Sequence, residues 1–336
     1  MRRQRFVLAT VFGLGLAIFA AACGGGPPPA RILIDGSSTV HPITQRAVER
    51  YRKQHREQEV VVGMSSTGAG FTRFCAGELD IADASRHMTA GEAAICEKSG
   101  VTFLELPIAY DAISVVVNSK NTWATKMTVA ELKTLWEPAA DGRVKKWSQV
   151  RKDWPDREIH LFGPDAESGT FDYFTEAITG KAKASRKDYS SNADHGRLVA
   201  AIETDDLALG YLGYTYYEHE KDKLRAIAID DLDEYIGPGA IEPSALNVRR
   251  GAYRPLSRTL FLYAKGSSLD REEVRQFLAF FTRSASEIVE SVGGVRLNSA
   301  ESDLTVARLT KRTLGTMFVP EPAPGLSLQL ILSGHQ

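Results

Sequence analysis

Three short stretches rich in Ser, Thr and Gly constrain this chain more than any other feature: Gly36-Ser37-Ser38-Thr39, Ser65-Ser66-Thr67-Gly68-Ala69-Gly70 and Glu167-Ser168-Gly169-Thr170. Each lies between a strand-like apolar run and a helix-like one. The first N–H groups of a helix lack intrahelical acceptors and carry the positive end of its dipole, so a loop that aims them at one point can hold an oxyanion without a metal. Gly lets the backbone come close to such a guest. Ser and Thr hydroxyls add donors that can also turn and accept.

The apolar periodicity repeats the same unit. A strand over 31–34 enters the first loop, and Pro42, Ile43, Ala47 and Tyr51 follow at helical spacing, with Pro42 suited to a first turn. Val60-Val61-Val62 reads as a buried strand, with Phe71, Phe74 and Cys75 on one helical face after it, and Asp80 to Ala84 is a third short strand that delivers Ser85 and Arg86 at its end. Three strand ends therefore bring polar groups to one edge, where open α/β sheets bind ligands. Val115-Val116-Val117 begins a second lobe, with a crossing at 109–112. A helix at 129–136, a strand at 159–162, the third loop, a helix that stops at Gly180, and strands at 207–211 and 226–229 follow. A return crossing near 246–263 leads to a helix at 272–281 that docks on the first lobe. The expected architecture is α/β and two-lobed, each lobe a mixed sheet flanked by helices, with two hinge crossings. Lobe 1 takes residues 31–111 and 247–320, lobe 2 takes 112–246, and 321–336 forms a loosely attached tail.

The N-terminus sets the compartment. Arg2, Arg3 and Arg5 precede an apolar segment from Phe6 to Ala22, which reads as a secretion signal over residues 1–22. Cys23 is then the expected lipidation site, and residues 23–30, with Gly24-Gly25-Gly26-Pro27-Pro28-Pro29, form a tether. Without the three arginines the balance is 38 basic to 42 acidic residues, which excludes nucleic acid or an anionic membrane as a partner held by bulk charge. Cys75 and Cys96 are the remaining thiols, and in an oxidising compartment they are expected to form a structural disulfide. The seven histidines show no zinc-ligand spacing, so no metal or other cofactor is expected.

Four motifs, in order, carry a resemblance: Asp35-Gly36-Ser37-Ser38-Thr39-Val40, Ser65 to Gly70, Asp83-Ala84-Ser85-Arg86 and Glu167-Ser168-Gly169-Thr170-Phe171-Asp172-Tyr173-Phe174. From about residue 31 to about 310 the chain resembles the phosphate-binding proteins of bacterial phosphate ABC transporters, in a branch that includes cyanobacterial forms. The resemblance implies phosphate ligands at Ser38, Thr39, Ser66, Thr67, Ser168, Gly169 and Thr170. It also implies a lipid-anchored monomer outside the cytoplasm, with an ABC permease as partner. Two positions depart from the family pattern. Arg86 stands where better-known members have an Asp that accepts the phosphate proton, and Pro164 stands where they have an Arg. Arg86 is expected to give the anion a bidentate fork. The proton acceptor is then left open among Asp165, Glu167 and Asp111.

Two other classes stay in view. The same fold can take another tetrahedral oxyanion: sulfate, molybdate, tungstate or arsenate. A secreted serine hydrolase is the enzyme alternative, against which stands the absence of a Gly-x-Ser-x-Gly elbow at either Ser38 or Ser168.

Overall fold

The computed structural model describes residues 31–166, 168–233, 239–318 and 328. The expected signal segment 1–22, Cys23 and the tether to residue 30, Glu167 and all of the 321–336 tail except Leu328 lie outside the described residues. Leu328 is fully buried in the larger apolar cluster.

The first half is the repeated strand–loop–helix unit. β1 (Ile32–Gly36) leads to α1 (His41–Arg52), β2 (Val60–Val62) to α2 (Thr67–Cys75), and β3 (Ile81–Ala84) to α3 (Ala90–Lys98). β1 lies between β2 and β3, parallel to both, so all three loops leave the same sheet edge. α1 buries Ile43, Ala47 and Tyr51 of the predicted stripe together with Val48, while Pro42 in the first turn is exposed. α2 and α3 are joined by the expected disulfide between Cys75 and Cys96, 21 residues apart.

β4 (Phe103–Asn118) then runs for 16 residues and serves both halves. The second half continues with β5 (Lys126–Thr128), α4 (Val129–Trp136), α5 (Trp147–Val150), β6 (His160–Gly163), α6 (Gly169–Thr179), β7 (Ser190–Ser191), α7 (His195–Glu203), β8 (Ala208–Gly213), α8 (Tyr214–His219), β9 (Leu224–Ala226) and β10 (Ala228–Asp230). α9 (Ala245–Arg249) precedes the return through β11 (Ser257–Lys265), and α10 (Glu272–Ser291), β12 (Val295–Arg296) and α11 (Ser299–Lys311) complete the described chain.

The main sheet has the order β2-β1-β3-β11-β4-β8-β6-β7. Residues 103–112 of β4 pair with β11, and residues 113–117 pair with β8, so the passage between halves is a change of partner along one strand and not a break in it. The β4–β11 register slips between Leu260 and Phe261, opposite Pro107, which has no N–H to give to the ladder. Two sequence expectations need correction. The stretch 226–229 is not one strand: it divides at Ile227 into β9, which pairs with β4, and β10, which pairs with β5. The stretch read as a return crossing holds most of β11, which inserts antiparallel between β3 and β4.

Candidate functional site

The loop after β1 passes so close to β3 that a Cβ on Gly36, whose φ is +143°, would sit 2.1 Å from the Asp83 carbonyl oxygen. Only glycine fits there. Ser65 N–H donates to the Gly36 carbonyl at 2.9 Å, which ties the second loop to the first. In the second loop Ser66 caps α2 by accepting from the Ala69 N–H at 3.2 Å. The Thr67 hydroxyl bonds the Ser85 hydroxyl at 3.0 Å and accepts from the Ser85 N–H at 3.1 Å, so the ends of β2 and β3 are linked.

The third loop meets the first from the other half. Ser168 caps α6 by accepting from the Thr170 N–H at 3.2 Å. A Cβ on Gly169 would lie 2.5 Å from Ser38 Oγ and 2.6 Å from Thr39 Oγ1. The absence of a side chain at Gly169 is therefore what lets the α6 N-terminus touch the loop that precedes α1. A cavity of ≈ 270 Å³ opens at this junction, with Ser38, Thr39 and Asp111 on one side and Ser168, Gly169 and Thr170 on the other. Ser66, Thr67 and Arg86, around the second loop, do not line it.

Arg86 is placed differently from expectation. Its fork meets Glu92, with both N···O distances 2.8 Å, and Nη1 also donates to the His87 carbonyl at 3.1 Å. The cause is local: Glu92 closes the capping box of α3 with Thr89 and has its carboxylate beside Arg86 already. Burial alone would raise the Glu92 carboxyl, but the Arg86 and Thr89 hydrogen bonds outweigh it and hold it below the usual range. The fork expected to face the anion is thus engaged by a carboxylate of the protein itself.

A second arginine, Arg258 on β11, is absent from the sequence reading. Its Nη2 donates to Thr39 Oγ1 at 3.0 Å, and Nε and Nη2 reach Asp111 Oδ2 at 3.2 and 3.1 Å. Its guanidinium lies 3.8 Å from the centroid of the Tyr173 ring, which belongs to α6. The signal that could have revealed it is a cation two residues before the apolar run 260–264, which itself reads as a strand.

Of the three candidate proton acceptors, Asp111 lines the cavity. Burial pushes its carboxyl up, and the neighbouring Arg258 offsets part of that rise. Asp165 is not in the cavity wall, and its charge bears on Tyr189 and His195. Among the described residues no group of three or more His, Cys, Asp or Glu is arranged to hold a metal ion, and no helix is long and apolar enough to cross a membrane.

A two-lobed α/β fold with helix N-termini from both halves meeting at a polar hollow defines a class of hinged binding proteins. Residues 24–285 match the family described as the PBP superfamily domain, and the chain belongs to that family. It is 40% identical over 318 residues to Protein SphX of Synechocystis sp. (strain ATCC 27184 / PCC 6803 / Kazusa), covering 94% of this chain and 93% of that one. It is 33% identical over 304 residues to the phosphate-binding protein PstS of Staphylococcus epidermidis (strain ATCC 35984), covering 88% and 89%. The crystal structure of a possible phosphate binding protein from Planctomyces limnophilus DSM 3776 superposes with a TM-score of 0.78 at 41% identity, covering 85% of this chain and 99% of that one.

Proposed function

We propose that this chain captures inorganic phosphate outside the cytoplasm and presents it to the membrane subunits of an ABC importer. It is a binding protein and not an enzyme, in line with the PstS and SphX relatives. The observation that carries the reading is the contact of Gly169 with Ser38 and Thr39, because it joins hydroxyls and helix N-termini of two lobes at one hollow. Lobe 1 is assigned residues 31–111 and 247–320, and lobe 2 residues 112–246. They close on the anion by hinge motion where β4 changes partner. Ser38, Thr39, Ser168, Gly169 and Thr170 form the inner ligand set. Ser66, Thr67 and Arg86 complete its outer side. Cys23 carries the lipid anchor, and the working form is a monomer.

Asp111 is the acceptor for the proton of hydrogen phosphate. It lines the cavity, and its raised pKa marks a carboxylate that gains from a donor. Sulfate brings no proton to give that carboxylate and would set a second negative charge against it, at a cost of about 1–3 kcal/mol or more.

Calorimetric titration of the protein with phosphate, sulfate and arsenate from pH 6 to 9 tests this reading. Phosphate should bind at least tenfold more tightly than sulfate, and Asp111→Asn should shrink that preference by ~10–100-fold. Equal binding of phosphate and sulfate by the wild type would refute it.

A further inference from the structure

We propose that Arg258 is the cation of the anion site and, through the ring of Tyr173, the latch that ties anion capture to lobe closure. The inference rests on the phosphate reading and assigns a residue that the sequence motifs do not contain. Arg258 stands opposite Asp111 in the β4–β11 register, one residue before β4 leaves β11 for β8. Its guanidinium therefore sits at the seam between the lobes.

Three partners from three segments surround it. Thr39 Oγ1 belongs to the first anion loop, Asp111 to the strand that both lobes share, and the Tyr173 ring to the helix whose N-terminus supplies the third loop. Tyr173 is itself tied across the seam, its hydroxyl donating to the Pro255 carbonyl at 2.7 Å. Arg258 gives Nε and Nη2 to its neighbours, while Nη1 has no hydrogen-bond partner among the described residues. Arg258 is not itself in the cavity wall, but Thr39 and Asp111, to which it bonds, are, so the two Nη1 N–H groups stand one side chain from an oxyanion held there. Arg86, by contrast, gives both prongs of its fork to Glu92.

The geometry also couples the two events. Guanidinium edges bind oxyanions in their plane, which leaves the flat face for an aromatic ring. An anion that fixes the plane of Arg258 presents that face to Tyr173. Opening the lobes would carry Tyr173 away with α6, breaking the face contact and the bond to Pro255 together. Arg258 and its paired Asp111 also offer a donor and an acceptor side by side. Hydrogen phosphate, which accepts on one oxygen and donates from another, needs that combination.

The test is calorimetry with inorganic phosphate and small-angle scattering with and without phosphate, on the wild type and on Arg258→Lys, Tyr173→Phe and Tyr173→Leu. Circular dichroism checks that each variant is folded. Arg258→Lys keeps the charge but not the planar fork, and should weaken binding by ~30-fold. Tyr173→Phe keeps the ring and should stay within ~5-fold of the wild type. Tyr173→Leu should lose ~10-fold and leave the phosphate-saturated protein with a radius of gyration close to its phosphate-free value. Folded Arg258→Lys that binds as the wild type does, or Tyr173→Leu that closes fully at unchanged affinity, would overturn the latch while leaving the phosphate reading in place. A wild type that takes no phosphate would bring down both.

Discussion

Asp83 is fully buried on β3, paired in register with Gly36, and no hydrogen bond of normal geometry reaches either of its side-chain oxygens among the described residues. Burial pushes its carboxyl up to about 8, with the Thr44 hydroxyl acting against that rise and the Asp35 charge adding to it. The folded state then holds a proton that the unfolded chain, with an ordinary carboxyl near ~3.9, releases. Stability from this group is full below the unfolded value, falls as pH rises between the two values, and levels off above the folded one. Scanning calorimetry at pH 5 and pH 8 should show the wild type losing more stability across that interval than Asp83→Asn, by up to ~4 kcal/mol. Equal losses would mean that Asp83 is ionised at neutral pH. The two arginines show what single-residue reading can and cannot reach. The segment Asp83-Ala84-Ser85-Arg86 marks Arg86 as a group at a strand end, but not that Glu92, six residues on, takes its fork. Arg258 was out of reach because its partners are 219 and 147 residues away in the chain.

The elements that hold the loops were more legible than their partners. Short β-strands followed by amphipathic helices leave a local pattern, and β1–α1, β2–α2, β3 and α6 stand within a few residues of where that pattern puts them. β11 shows the limit: its insertion between β3 and β4 is decided by long-range pairing that no local period records. The disulfide acts at this scale. It joins the C-terminal end of α2, whose N-terminus carries Ser66 and Thr67, to α3, whose capping box holds Arg86. Replacing both Cys75 and Cys96 with Ala should lower stability by ~3 kcal/mol, as expected for a loop of this length. Chemical denaturation of the phosphate-free protein measures it, and a change under ~1 kcal/mol would show that the helices are held by packing alone.

For the whole molecule, the two-lobed plan was readable from the alternation of elements and the doubled anion loops. The seam between the lobes was not, because it consists of contacts such as Gly169 with Thr39 and Gly293 with Thr215. Gly293, at φ +82°, follows α10, and a Cβ on it would lie 2.3 Å from Thr215 Cγ2 at the start of α8. Thr215 also lines the cavity, so the uncharged wedge Thr215→Trp should hold the lobes apart without adding a cation beside the anion. We expect ~10-fold weaker phosphate binding, with a larger radius of gyration at saturation, though no anion ligand is altered. An unchanged radius would show that this contact does not limit closure. β4 carries a further consequence. A ribbon that supplies residues 103–112 to one sheet edge and 113–118 to another has no place where a cut would spare either side. Each half separated from its neighbour would lose a central rung of its own framework, so the halves are bound to melt in concert and to be inherited as a unit.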